Sequence, residues 1–550
     1  MYLRISYSAA SVFLVSLAFL AFHFCIPSSA HAATYLVRAD GTGDFPTIQS
    51  AIDAAVNGDR VLLADGVFSG PGNRDLTYGL KAITIESEGG VPADCVIDCA
   101  DPLAPHRGFL FDGEGPGSIL RKIEIRNGRA DFGGGIYSTN ASPTITRCTL
   151  VSCSAVAQGG GIYVDGGSPA FSYCYALYCD AEEGGGAFVT GSPGEVYFVG
   201  GFADNQADFG AGLCVDDGGS AHLFNAAFVR NEATTYGGAV AVRNNSTFRS
   251  ELTSFEDSEA ATGGAVYTDH SSITLTDSWI LRNHASHGAG IWCQNGSSPT
   301  LNRCVVAFNY APGYGGGVHC WNSSPDIRSS TFYDNAAGEH GNGVSIEQCG
   351  LSLSRSIIAF GAEGEAVYCY EPDVISIECC DIYGNQGGDW TSYIAPFQDT
   401  EGNLRLDPRF CDGPGGDWTL EATSPCLPHS APNPECDLIG AFGVGCPVSS
   451  TDEPLLTEFG ESWLRVQPSP FRDGTWIRLN AAPTEVVRVS VFDAAGRLVR
   501  DLRREPVRDG TLEIEWDGRD QAGSPVGPGV YFVRAEAEDR SASRPVVLVR

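Results

Sequence analysis

Asp216, Arg243 and Asp269 occupy the same position in three successive repeats of this chain, 27 and 26 residues apart. If each repeat is one layer of stacked strands, layers rise by ~4.8 Å and the two carboxylates stand ~9.6 Å apart. That is the upper edge of the separation used by inverting glycosidases, about 6.5–9.5 Å. Arg243 between them would clamp an acidic sugar or act as a weak base. It would also hold both carboxyls ionised, which is poor for a general acid and suits a charge-compensated ladder. No catalytic residue is therefore assigned. Were the chain an enzyme, a polysaccharide lyase or glycoside hydrolase, these three would carry the chemistry.

A second column offers binding rather than catalysis. Tyr137, Tyr163, Phe188, Cys214, Ala241, Tyr267, Trp292, His319, Ser345 and Tyr368 recur at one position per repeat, and six of the ten are aromatic. Trp321 joins them from the neighbouring outward column, two residues further along the strand. Stacked rings on an outer face would suit a repeating glycan; the competing reading is mutual stacking under neighbouring loops.

The cysteines give a weaker signal. Of 19, Cys25 lies in an N-terminal apolar run, leaving 18. Cys148 and Cys174, Cys153 and Cys179, and Cys293 and Cys320 share columns, at a spacing that admits disulfides or stacked thiols. Cys411, Cys426, Cys436 and Cys446 follow the repeats in a Gly-, Pro- and Trp-rich segment, without the CxxC of a zinc site. They read as a cap stapled by up to two disulfides. No metal ligand or cofactor is assigned; acid excess suits Ca²⁺ in extracellular loops, but no Gly-Gly-x-Gly-x-Asp array is present.

What must position these residues is the repeat. A Gly-rich tetrad ends in an apolar residue at Ile136, Ile162, Ala187, Leu213, Val240, Val266, Ile291, Val318 and Val344, and Val367 continues the register. A second column runs Leu150, Ala176, Phe202, Phe228, Phe255, Ile280, Val306, Phe332, Ile358, Ile382. A third runs Ile145, Phe171, Tyr197, Leu223, Ser250, Leu275, Leu301, Ile327, Leu353, Ile377. Three residues past the second column, six of ten positions are Asn. These columns predict a right-handed parallel β-helix with inward apolar stacks and an Asn ladder, Asn tolerating the left-handed bend. Thr47–Ala55 reads as a short amphipathic helix over one open end.

The flanks differ. Residues 1–32 carry an apolar run and Ala30-His31-Ala32, the pattern of a cleaved signal peptide, with no later membrane span. Residues 33–446 form the β-helix with its caps, 447–462 a polar linker, and 463–550 alternating strands with Asp-Gly and Gly-Pro turns, a small β-sandwich. Acids outnumber bases 67 to 34, which excludes a nucleic-acid surface and disfavours an anionic membrane. The fold class is thus all-β.

Three resemblances sharpen this. The opening Ala39-Asp40-Gly41-Thr42-Gly43-Asp44-Phe45-Pro46-Thr47-Ile48-Gln49 resembles the start of the pectin-lyase-like β-helix superfamily. The Gly-Gly-apolar and Phe-x-x-Asn features, Phe202 to Asn205 and Phe228 to Asn231, resemble polymorphic outer-membrane-protein repeats. Val487–Arg500, Leu512–Asp520 and Gly529–Val533 look like the Ig-like domain of flagellar hook-capping (FlgD-like) proteins and related type IX sorting domains. The Asn-Thr-Asp and Gly-His-Gly motifs of polygalacturonases are missing. The resemblances imply a secreted or cell-surface protein with an adhesin-like, glycan-binding or structural role. Its partners would be a polysaccharide or surface component, and the export machinery through the C-terminal domain.

Overall fold

The computed structural model describes residues 32–446, apart from 102, 192–193, 429, 432 and 434. Between 464 and 548 it describes all but 468–473, 481–485, 494–497, 507–510, 528 and 537–540. The expected signal peptide and linker lie outside the described residues.

Residues 34–383 wind into a parallel β-solenoid. The first tetrad column stacks in the expected register, Ile136 on Ile162, then Ala187, Leu213, Val240, Val266, Ile291, Val318, Val344 and Val367. These strands belong to a 12-stranded sheet, the tetrad face. The other two faces are joined into one 25-stranded sheet because Ala170–Leu177 and Val196–Ala203 run unbroken around the corner between them. A fourth, shorter row precedes the tetrads, from Arg129–Phe132 and Ser154–Gln158 to a six-stranded sheet beginning at Gln206–Phe209.

The interior is a set of vertical stacks. Phe202, Phe228 and Phe255 lie ring on ring at 4.8 and 5.2 Å. The third column needs one correction. Phe171 pairs with Phe198, not Tyr197, and Phe198 with Leu223. Tyr173 is the left-handed corner residue of its coil, as Arg147 and Asn225 are of theirs; the Val196–Ala203 coil lacks the counterpart, Cys174 facing Gly200, so its inward residue comes one place later.

The Asn ladder exists, but its backbone logic differs from expectation. The left-handed residue is the one before each ladder position: Asp204, Arg230, Asp257, Arg282, Phe308 and Asp334, with φ of 46–59°. Non-glycine residues there each cost about 1–2 kcal/mol in isolation. The buried amides that follow stabilise the corner instead. Asn309 donates from Nδ2 to the Ile280 carbonyl and to Asn335 Oδ1, both at 2.9 Å, and Oδ1 accepts from the Asn283 N–H at 2.9 Å.

Both ends of the core are covered. The helix Ile48–Ala54 is N-capped by Thr47 in a reciprocal pair with Ser50, and buries Ile48, Ala51 and Ile52. At the far end Trp390 and Ile394 close the stack. The chain then turns back along the second face, where Leu404, Leu420, Cys426, Cys436 and Ile439 pack on Ile357 and Ala359. Cys411 bonds Cys446, but Cys436 reaches Cys379 of the last coil. Cys426 stays a free thiol, as do the column pairs 148/174, 153/179 and 293/320, whose buried sulfurs are not joined by disulfides.

The C-terminal domain is an antiparallel sandwich. Leu464–Gln467, Thr475–Asn480 and Thr511–Trp516 form one sheet. Leu498–Pro506, Val486–Asp493, Gly529–Glu536 and Ser541–Leu548 form the other. Trp516, Ile477, Val491 and Val533 fill its core.

Candidate functional site

The outward side of the tetrad face is shaped by the first glycine of each tetrad. Gly237 has φ 67°, and a Cβ there would lie 2.3 Å from the Val240 carbonyl oxygen. Only glycine makes this turn without strain, and it folds the preceding residue back over the face. Phe132, Phe209, Tyr236, His287, Tyr314 and His340 all occupy this pre-glycine position. The sequence reading passed over this column, although the residue before every tetrad could have been tabulated as the others were.

The pre-glycine rings decide which aromatic residues meet solvent. Tyr236 stacks on Tyr267 at 4.4 Å, and Phe132 lies 5.3 Å from Tyr163. Tyr163, Phe188 and Tyr267 are left 8, 2 and 3% exposed. These three do not present a ring face to a ligand, so the proposed platform does not extend over the central coils. Tyr137 stacks on Tyr163 at 5.1 Å and carries the Arg107 guanidinium 4.8 Å from its ring centre. Trp292 is half-buried, stacked on His319 at 4.2 Å, with Nε1 donating to Gln294 at 3.0 Å. Burial holds His319 down to about 3, so its ring is neutral.

The charged trio is tied into the scaffold. Arg243 reaches Glu183 at 2.7 Å and Asp216 at 2.5 Å, and its guanidinium lies 4.7 Å over the Phe209 ring. Asp216 Oδ1 also accepts from Asn244 at 2.7 Å. Asp269 Oδ1 faces His270 Nδ1 and accepts from Asn295 Nδ2, both at 2.8 Å. Asp216 and Asp269 thus repeat one device, a carboxylate receiving the corner Asn of the next coil. The structure brings the three together as expected, but each carboxylate oxygen named here already has a partner, which is the arrangement of a structural ladder.

The last coils differ. Trp321, Glu347 and Tyr370 are register partners on three adjacent strands. Trp321 and Tyr370 are 42 and 48% exposed. Burial pushes Glu347 above the usual carboxylate range, opposed by His287 and His340. Beside them Tyr368 stacks on His340 at 4.2 Å, and His340 Nδ1 lies 3.1 Å from Glu365. This terrace combines two open ring faces with a carboxyl set between them. Aromatic faces take the C–H face of a sugar, and a carboxyl orients hydroxyls by hydrogen bonding. Tyr370 and Glu347 belong to the column of Asp216, Asp269 and Trp321; the sequence reading singled out Trp321 there but not the two residues stacked beside it.

Residues 472–541 match the FlgD Ig-like domain, so the C-terminal sandwich has the identity its motifs implied. A comparison with curated proteins finds none that matches. Among solved structures, dimeric latent PorU from Porphyromonas gingivalis is similar at 24% identity over 16% of this chain and 9% of that one, with a TM-score of 0.14. PorZ of Porphyromonas gingivalis, described as an essential bacterial surface component of the type-IX secretion system, is similar at 25% identity over 16% and 11%, with a TM-score of 0.13. The chain spans about a tenth of those proteins, and likenesses of this extent carry no argument about activity.

Proposed function

We propose that this is an exported protein held at a cell surface, whose solenoid binds an extracellular glycan on its C-terminal coils. The observation that carries the reading is the exposed Trp321–Glu347–Tyr370 terrace, on a face whose central rings are packed away. The 1–32 pattern supports export, and the FlgD Ig-like domain supports attachment. Among the described residues no helix is long and apolar enough to cross a membrane. The acid excess favours an uncharged polymer over a polyuronate. Nothing in the arrangement of Asp216, Arg243 and Asp269 favours a hydrolase or lyase.

The test is binding of the mature protein to neutral and acidic polysaccharides, with and without Ca²⁺, alongside reducing-end and unsaturated-product assays. Trp321→Ala and Tyr370→Ala should each weaken binding to a neutral polymer roughly tenfold, the worth of about 1.4 kcal/mol, with the melting temperature unchanged. Full binding by the double variant would sink the glycan reading, and product formation would replace it with an enzymatic one. Removal of residues 463–550 should lower surface retention; normal retention would remove the attachment role.

A further inference from the structure

We propose that Asp381 and Cys426 form a proton-dependent latch that holds the returning C-terminal segment against the last coil of the solenoid. Asp381 opens the strand Asp381–Tyr383 and points outward from the solenoid, at the position of Ile357 one coil earlier. There the returning segment covers it completely, at 0% exposure. Its Oδ1 accepts from the Leu406 N–H at 3.1 Å, and its Oδ2 lies 3.1 Å from Cys426 Sγ. Both partners belong to the returning segment. A thiol and one amide are weak company for a buried carboxylate, which ordinarily needs a cation or several donors.

The surrounding charges make ionisation harder. Asp407 and Asp389 are the carboxylates that face the site, and both disfavour a further negative charge. The nearby cations are engaged elsewhere, Arg405 with Asp389 at 2.9 Å and Arg355 with Asp437 at 3.8 Å. Cys426 is a buried thiol held above its ordinary range by burial and by Asp381 itself, so it does not supply the missing charge. The neighbouring Cys380 thiol is likewise pushed up by burial to about 12.

Burial raises Asp381 from an ordinary 3.8 to about 7. The docked segment therefore keeps a proton that the undocked segment loses. The stabilisation is fully present below pH ~4 and is lost as pH rises through ~7. The opening equilibrium climbs about tenfold per pH unit in that window, roughly a hundredfold between pH 5 and 8, and levels off above it. The Cys379–Cys436 disulfide keeps the open segment tethered. Opening thus loosens the cap and exposes Cys426 without releasing the chain.

Cys426 reports its own opening. The full chain is labelled with a maleimide from pH 5 to 8.5 and Cys426 is followed by peptide mass spectrometry. Asp381→Asn is measured in parallel to remove the intrinsic pH dependence of thiol reactivity. The ratio of wild-type to variant labelling should climb by one to two orders of magnitude between pH 5 and 8. A ratio independent of pH, or a Cys426 equally protected throughout, would overturn the latch. If Asp381→Asn does not fold, hydrogen exchange of residues 404–439 in the wild type, corrected for intrinsic rates, serves instead; a flat corrected profile overturns the proposal equally.

Discussion

Asn309 tests whether hydrogen bonds or volume hold the solenoid corner. It is fully buried, and its side chain makes four ladder bonds. Two are donated, to the Ile280 carbonyl and Asn335 Oδ1, and two are accepted, from the Asn283 N–H at 2.9 Å and Nδ2 at 3.0 Å. Asn309→Ala leaves the Asn283 N–H without its acceptor and takes one partner each from Asn283 Nδ2, the Ile280 carbonyl and Asn335. One buried donor left unpaired, at roughly 1–3 kcal/mol, and three lost bonds at about 0.5–1.5 kcal/mol each put the cost at about 2.5–7.5 kcal/mol. Asn309→Asp keeps the shape but loses both donors, and sets a carboxylate against the Ile280 and Asn335 oxygens. It should cost at least as much as Ala. Urea unfolding gives the total, and hydrogen exchange of coils 280–335 shows where it falls, since each coil rests only on its neighbours. If Asp is much milder than Ala, or Ala costs under about 1 kcal/mol, the corner is held by packing volume and the ladder account is wrong.

Two further outcomes separate structural from functional roles. Asp216→Asn should leave Arg243 with Glu183 alone, lower stability by roughly 1–3 kcal/mol as a partly buried charge loses one partner, and leave polysaccharide binding intact; lost binding would restore Asp216 to the ligand site. Cys379→Ser opens a link spanning 57 residues, worth about 4 kcal/mol by loop closure. Exchange should then accelerate in 404–446 and not in the coils, and uniform acceleration would show that the cap and solenoid unfold as one unit.

The fold was legible because its signal repeats. A side chain that points inward in a solenoid must be apolar in nearly every coil, so even Ser250, buried with its hydroxyl 3.3 Å from Ser278 Oγ, does not obscure its column. What failed depended on single coils or on contacts between columns. The missing corner residue between Phe198 and Phe202 changes the register in one layer, and only the pairing with Phe171 reveals it. Cys436 seeks Cys379 because the chain doubles back over the last coil, a reversal that the spacing of four cap cysteines does not encode.

The binding terrace shows the same limit most clearly. Alternation along a strand says that Tyr267 and Trp321 both point away from the core, and both do. It is silent on a second layer. Tyr267 is covered because Tyr236, folded back at Gly237, lies over it at 4.4 Å. Trp321, two residues further along its strand, is open at 42% exposure, and among the described residues no ring stacks on it. Outwardness is a property of one strand, whereas exposure is a property of the strand and of whatever the preceding turn lays on top. The residues able to meet a ligand are therefore those that no neighbouring turn covers, and in the last coils these are Trp321 and Tyr370, with Glu347 half-buried between them.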